Sequence, residues 1–438
     1  MQRDIMTALL NWKTNQDRKP LVLKGVRQCG KTYILKEFGE QNYSDVAYFN
    51  FEETPALATM FEQDFDVRRI LFELGLFRGR PIRPEETLLI FDEIQACARA
   101  LTSLKYFCEN GREYHLVCAG SLLGIALHED LSFPVGKVDF LTLYPMSFYE
   151  FLRAVGEAEL ADYLTSFQKK NPIPEAIAGK LRTLLRQYYV VGGMPEAVDV
   201  WCRTKDFTKA ETVQKQILQS YELDFVKHAP TKDFPKLSAI WKSVPQQLAK
   251  PNSKFIFSQV KKGWRAKDLE DALQWLISAG LLYKVCRIEK PFLPLSAYAD
   301  ASAFKLYLSD VGLLRTLAQV PAQVVLDASD HYVEFKGAMT ENYVLNELVK
   351  ASFESPYYWS SGNSAEVDFV VQNGADIIPI EVKSEQNTKA RSLAEYRRKY
   401  APDYAVVTSM KAAAGGNTVG VPLFMLASMR RFVTQTDY

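Results

Sequence analysis

The chain has 438 residues, 47% of them hydrophobic, enough apolar material for about two to four cores and too much for a disordered chain or a single small domain. Fifty-three basic and 52 acidic residues leave a formal net charge of +1, so no whole-molecule field attracts nucleic acid and any such partner must meet a local patch. No apolar run reaches the roughly eighteen residues of a membrane span, and the start MQRDIMTALLNWK lacks a signal-peptide cleavage pattern, so a cytoplasmic protein with no membrane partner is expected. Six cysteines (Cys29, Cys97, Cys108, Cys118, Cys202 and Cys286) show neither CxxC spacing nor neighbouring histidines, and are expected to be reduced, mostly buried small hydrophobes.

Residues 1–146 alternate short β-branched runs with helical stretches: LVLKGV, KTYILKEFGE, AYFNFE, TLLIFDE, YHLVCAGS and KVDFLTLYPM. That alternation predicts a parallel sheet with crossover helices. Residues 147–232 turn helical, interrupted by the GGMP of Gly192 to Pro195, and are expected to form a helical lid. Residues 233–329 hold three short helical stretches, then LLYKVCRI, a proline-rich turn and AFKLYLSD, an order that matches a winged helix-turn-helix. Residues 330–438 predict a smaller α/β domain: an amphipathic helix, strands YYWSS, EVDFVVQ and DIIPIEVKS with Asn373-Gly374 as a hairpin turn, a basic helix and the strand YAVVTS. AAAGGNTVG reads as a loop. The chain is therefore expected to be α/β and multidomain.

Gly25-Val26-Arg27-Gln28-Cys29-Gly30-Lys31-Thr32 fits GxxxxGK[ST] in full, between an apolar strand and a helix that opens at Lys31 and continues through Tyr33. In such a loop the glycines let backbone N–H groups wrap phosphates, the helix N-terminus adds partial positive charge, the lysine reaches the β and γ phosphates, and the threonine ligates magnesium. ATP with Mg2+ is the expected cofactor. Leu88-Leu89-Ile90-Phe91-Asp92-Glu93 reads as a strand buried on both faces that ends in two carboxylates at the sheet edge where ligands bind. Asp92 is expected to hold magnesium through water, and Glu93 to orient and deprotonate the attacking water. Ser121, after HLVCAG, fits either a sensor of the γ-phosphate or the cap of the following helix.

GVRQCGKT, LLIFDEIQ, AGSLLG, LYPMSFYEF and GGMPEAV, in that order, resemble a family of prokaryotic AAA-type ATPases with a C-terminal restriction-endonuclease-like domain. The resemblance implies an AAA-type P-loop core, a helical lid, a winged helix and a nuclease-like end. In that family a Gly-Arg pair commonly precedes the LYPxSF strand, with the arginine a candidate for reaching a neighbour's γ-phosphate. Here the pair is Gly136-Lys137, a point charge without the bidentate fork, so whether Lys137 replaces an arginine finger stays open, as does a homo-oligomer or protein partner. GGMP also fits a helix C-cap followed by proline in the first turn of the next helix.

Strand alternation puts Glu381 and Lys383 on one face, with Ile380 and Val382 on the other. Asp368, Glu381 and Lys383 resemble the D…ExK of the PD-(D/E)xK nuclease core, and Glu341 its frequent helix glutamate. The resemblance implies carboxylates Glu341, Asp368 and Glu381 on a metal ion and Lys383 acting on water. The fold also serves for binding without chemistry. Basic residues at KKGWRAK (Lys261 to Lys267) and at Lys389, Arg391, Arg397, Arg398 and Lys399 fit contacts with DNA phosphates. Two readings follow: an ATPase whose nucleotide state controls a DNA-binding and DNA-cutting C-terminal half, or an ATP-dependent switch that binds DNA or a protein without cutting.

Overall fold

In the computed structural model, residues 1–120, 134–167, 173–230, 232–250, 253–327, 333–353, 355–362, 365–384, 391–411 and 418–434 are described. The chain divides into two compact units, one of residues 2–144 with 278–280 and the other of Met1 with residues 145–277 and 281–438. Among the described residues no helix is long and apolar enough to cross a membrane. The cysteines are all free, with Cys29, Cys97, Cys108 and Cys118 buried and Cys202 and Cys286 half-buried.

The first unit is built from α1 (Ile5–Thr14), β1 (Leu21–Lys24), α2 (Lys31–Asn42), β2 (Asp45–Asn50), α3 (Val67–Arg78), β3 (Thr87–Asp92), α4 (Ala98–Asn110), β4 (His115–Ala119) and β5 (Asp139–Thr142). The strands form one parallel sheet in the order β2-β3-β4-β1-β5. Every residue of β3 and β4 is buried, as the continuous apolar runs require of central strands covered on both faces. Alternation divides them between two cores. Leu88 and Ile90 pack with Leu35 and Phe38 of α2, while Leu89 and Phe91 pack with Leu74 of α3 and Leu104 and Phe107 of α4.

The second unit begins with α5 (Phe148–Ala154), α6 (Ala158–Ser166), α7 (Glu175–Val191), α8 (Pro195–Thr204) and α9 (Phe207–His228). It continues with α10 (Phe234–Leu248), α11 (Phe257–Val260), α12 (Ala266–Ser278), β6 (Leu282–Ile288), β7 (Ala299–Leu308), α13 (Val311–Leu317) and α14 (Ala322–Leu326). It ends with α15 (Val333–Lys350), β8 (Tyr357–Ser360), β9 (Glu366–Asn373), β10 (Asp376–Val382), α16 (Arg391–Tyr400), β11 (Ala405–Ser409), β12 (Thr418–Pro422) and α17 (Met429–Thr434).

Its seven strands form a mixed sheet, β12-β11-β10-β9-β8-β6-β7. Three features differ from the sequence reading. The helices and strand pair expected of a winged helix are present in order, but β6 pairs parallel with β8, so the expected wing is the margin of the C-terminal sheet and the sheet crosses residue 330. The end of AAAGGNTVG is strand β12, paired parallel with β11; a partner strand decides this, because a Thr-Val-Gly run has no strong signal of its own. The β9–β10 turn falls one residue later than Asn373-Gly374, with Asn373 paired to Asp376 and Gly374 left-handed at φ 64.

The GGMP motif has a packing cause. Gly192 ends α7 with φ 72, and Pro195 opens α8. The Gly193 amide donates to Asp310 Oδ2 at 2.6 Å while its carbonyl accepts from the Met146 amide at 2.7 Å. A methyl group on Gly193 would overlap the Met146 carbonyl, which Tyr188 and Lys350 also engage. Asp310 caps α13 through the Leu313 amide. The motif is thus where the LYPMSF segment, the end of α7 and the start of α13 meet at backbone distance. Gly193→Ala should overpack this junction and cost roughly 1–3 kcal/mol, read as a lower denaturant midpoint at an unchanged m-value.

Candidate functional site

The GxxxxGKT loop joins β1 to α2 at the carboxyl edge of the parallel sheet. Its turn needs unusual backbone: Gln28 at φ 63 and Gly30 at φ 93 lie in the left-handed region, and Gly25 at φ 150 leaves no room for a side chain because a Cβ there would overlap the Leu143 carbonyl. Lys31 is buried, and its Nζ donates to the carbonyls of Gly25 and Val26 at 2.9 and 3.0 Å, within the loop itself. Val26 and Cys29 are buried, the Cys29 thiol turning to the Leu143 carbonyl, whereas Gln28 and Tyr33 are exposed and Arg27 half-buried. Val26 and Cys29 can therefore serve a ligand through backbone only.

Asp92 follows the parity of Leu88 and Ile90 and so emerges on the α2 face. There Thr32 Oγ1 donates to Asp92 Oδ2 at 2.7 Å, bringing the expected magnesium pair together. Tyr48, which pairs with Ile90 in register, donates its hydroxyl to the same Oδ2 at 2.8 Å. Burial, with the Asp92 and Glu53 charges and against the Asn50 hydrogen bond, holds the Tyr48 phenol well above its ordinary pKa, so it remains a donor at neutral pH. Glu93 takes a left-handed backbone, φ 47, with its amide donating to Asp92 Oδ1 at 3.1 Å. Gln95 Nε2 donates to Glu93 Oε2 at 2.5 Å.

Three contributors went unnoticed in the sequence. Tyr48 and Gln95 orient the two carboxylates, and Arg3 braces the loop from α1's approach by donating to Cys29 O at 3.2 Å and Tyr144 O at 2.6 Å. Tyr48 had a legible signal, the even parity it shares with Asn50 and Asp92 along paired strands. Arg3 had none. β4 lies between β1 and β3 as an inserted strand, but Ser121 lies outside the described residues. Lys137 Nζ pairs with Glu109 of its own chain at 2.9 Å.

In the second unit Glu341 stands on α15, Asp368 on β9, Glu381 on β10 and Lys383 just beyond. Lys383 Nζ pairs with Glu381 Oε1 at 2.7 Å, as alternation required. The Val382 amide donates to Asp368 Oδ2 at 2.7 Å. Burial first, then the neighbouring charges of Glu341 and Glu381, raise the Asp368 carboxyl well above its usual range. The sequence reading missed Lys305 and Tyr307 on β7 and Glu366 on β9. Lys305 Nζ lies 2.6 Å from Glu366 and 3.5 Å from Glu341, and Tyr307 donates to Glu341 at 2.9 Å. Burial works against the Lys305 charge, but Glu341, Tyr307, Glu366 and Asp368 around it outweigh burial and raise its pKa well above the ordinary value. Among the described residues, no three His, Cys, Asp or Glu side chains are grouped to hold a metal ion.

Residues 17–152 match the family described as an AAA domain. Residues 182–324 and 336–425 match two domains of unknown function, DUF8612 and DUF4143, which carry no sign of a restriction-endonuclease-like domain. No curated protein matches the chain. Among solved structures, the chain is similar to the Walker-type ATPase PABY2304 of Pyrococcus abyssi, at 15% identity over 72% of this chain and 95% of that one, TM-score 0.47. It is also similar to a variant of RuvB from Thermotoga maritima, at 13% identity over 66% and 90%, TM-score 0.31, and to Cdc6p from Pyrobaculum aerophilum, at 13% over 74% and 92%, TM-score 0.24. The N-terminal unit is an AAA-type P-loop ATPase domain.

Tyr48→Phe deletes a hydrogen bond to a carboxylate, of the order of 1.5–3 kcal/mol. ATP turnover should fall about tenfold or more with the nucleotide Kd held within about threefold. A steady-state assay beside a fluorescent-nucleotide titration separates the two.

Proposed function

We propose that the chain binds ATP with magnesium on Gly25 to Tyr33, Asp92 and Glu93, and couples its nucleotide state to DNA binding by the C-terminal unit. The Thr32–Asp92 hydrogen bond carries the first half, since it unites the two magnesium-side groups of a P-loop ATPase across separate strands. The donor set fits the cofactor: a glycine cradle closed to any side chain at Gly25, a lysine within the loop, and one hydroxyl beside one carboxylate. Bound magnesium would neutralise phosphate charge. Backbone amides of the loop and Lys31 would hold phosphate oxygens; Thr32, and Asp92 through water, would hold the ion; Glu93, steadied by Gln95, would take the proton of the attacking water. Ser121 remains a proposed γ-phosphate sensor.

The DNA half rests on the exposed heads of Lys261, Lys262, Arg265 and Lys267 around the start of α12, among which the described residues include no ion pair. Lys261 lies over the Trp264 ring at 4.8 Å, an arrangement suited to a phosphate beside a base. The winged-helix order of α10 to β7 and the nuclease-like carboxylates of β9 and β10 support the same assignment, as does half-exposed Arg397 beside exposed Arg398 and Lys399 on α16. Lys389 lies outside the described residues. The pairing of Lys137 with Glu109 of its own chain favours an ATPase centre that does not borrow this cation from a neighbour.

Lys31→Ala should abolish tight nucleotide binding, while Glu93→Gln should retain binding and lower turnover by roughly 10²–10⁴-fold; a Glu93→Gln protein hydrolysing at the parent rate would remove Glu93 as the base. For DNA, the triple Lys261→Ala, Lys262→Ala, Arg265→Ala variant should bind duplex more weakly, with the slope of log K against log[salt] flattened by about 0.9 for each phosphate that the protein ceases to neutralise. Unchanged affinity and slope in fluorescence anisotropy would remove this face from the DNA-binding surface.

A further inference from the structure

We infer that Lys305 is the resident cation of the C-terminal carboxylate cluster, so that this sheet carries a site closed by its own ammonium group and does not take up a divalent metal ion. The inference concerns β7, β9, β10 and α15 alone and does not rest on the ATPase reading.

The nuclease-like resemblance calls for a metal ion held by Glu341, Asp368 and Glu381, and the side chains present do not fit one. Lys305 is 1% exposed, with Nζ at salt-bridge distance from carboxylates on two different elements, Glu366 of β9 and Glu341 of α15. A divalent ion would need oxygen ligands at about 2.0–2.6 Å from several directions, and each expected ligand already has an oxygen committed to a protein donor. Glu341 Oε2 accepts the Tyr307 hydroxyl and faces Lys305. Asp368 Oδ2 accepts the Val382 amide, and Glu381 Oε1 accepts Lys383. Glu381 Oε2 is buried without a hydrogen-bond partner among the described residues, but the ammonium groups of Lys383 on Glu381 and Lys305 on Glu341 already supply the positive charge that a divalent ion would bring.

The position of Lys305 explains why a lysine can be buried here. It stands in β7 on the face it shares with Tyr307, and its head lies 5.2 Å from the Tyr358 ring centroid. An ammonium head satisfies carboxylates electrostatically but supplies neither Lewis acidity toward a phosphodiester nor a metal-bound water. The C-terminal sheet is therefore equipped to bind without metal-dependent cleavage.

The test is a Mn2+ titration of full-length, nucleotide-free protein, reading free Mn2+ by electron paramagnetic resonance, in an Asp92→Asn background that silences the N-terminal metal position. The parent and Glu381→Gln should bind Mn2+ alike, within about twofold, because no ion sits on Glu381. Lys305→Met should gain one site at least tenfold tighter than any in the parent, and Lys305→Met with Asp368→Asn should lose it again. A parent site weakened tenfold by Glu381→Gln would overturn the inference, as would a folded Lys305→Met protein with no new site. Should Lys305→Met fail to melt cooperatively, the parent against Glu381→Gln comparison decides alone, since equal binding upholds the closed site and unequal binding refutes it.

Discussion

A strand buried on both faces can carry charge only at its tip, and the tip of β3 does so on the face where the glycine-rich loop and the first turn of α2 stand. Leu88 and Ile90 face α2, so Asp92 must as well, and the first turn of α2 brings Thr32 to within 2.7 Å of it. β4, inserted between β1 and β3, sets the lateral distance that this hydrogen bond spans. The left-handed Glu93 then breaks the alternation, freeing the second carboxylate from the strand's parity. Its backbone strain falls at a position where Gln95 and the Asp92 carboxylate both hold it.

The second unit depends on a different economy of space. Gly193 lets two backbones and one carboxylate converge, and from Asp310 the contacts run on through a buried polar network. Arg315 donates to Glu211 Oε2 at 3.0 Å and to Gln214 Oε1 at 2.9 Å, and Gln214 donates to the carbonyls of Val190 and Val191. Those carbonyls end α7, so its C-terminus is satisfied by a side chain from α9 rather than by water. The short GGMP and SDVGLL sequences thus form parts of one junction, and its close backbone packing accounts for their glycines.

The C-terminal cluster shows how a familiar pattern can change its chemistry through one residue. Glu381 and Lys383 share a face as alternation predicted, and Asp368 stands on the neighbouring strand. Lys305 enters from β7, far away in the chain, and converts an excess of negative charge into an ion-paired core. A buried carboxylate group costs heavily unless it is paired, and a lysine anchored in a sheet meets that cost permanently, whereas a bound ion meets it only while present.

The sequence alone determined whatever depends on a few consecutive residues. The phosphate loop follows from glycines at fixed spacing, the faces of Asp92, Glu381 and Lys383 from a period of two, the helices from a period near 3.6, and the end of α7 from glycine and proline. Tertiary structure decided which distant strands pair and which side chains reach across. The merging of β6 and β7 into the C-terminal sheet, β12 as a strand, Arg3 on the loop, Gln95 on Glu93 and Lys305 among the carboxylates all belong to this class. A local pattern records which face a residue occupies, but a hydrogen bond or ion pair between elements depends on the register and curvature through which the whole fold brings two faces together.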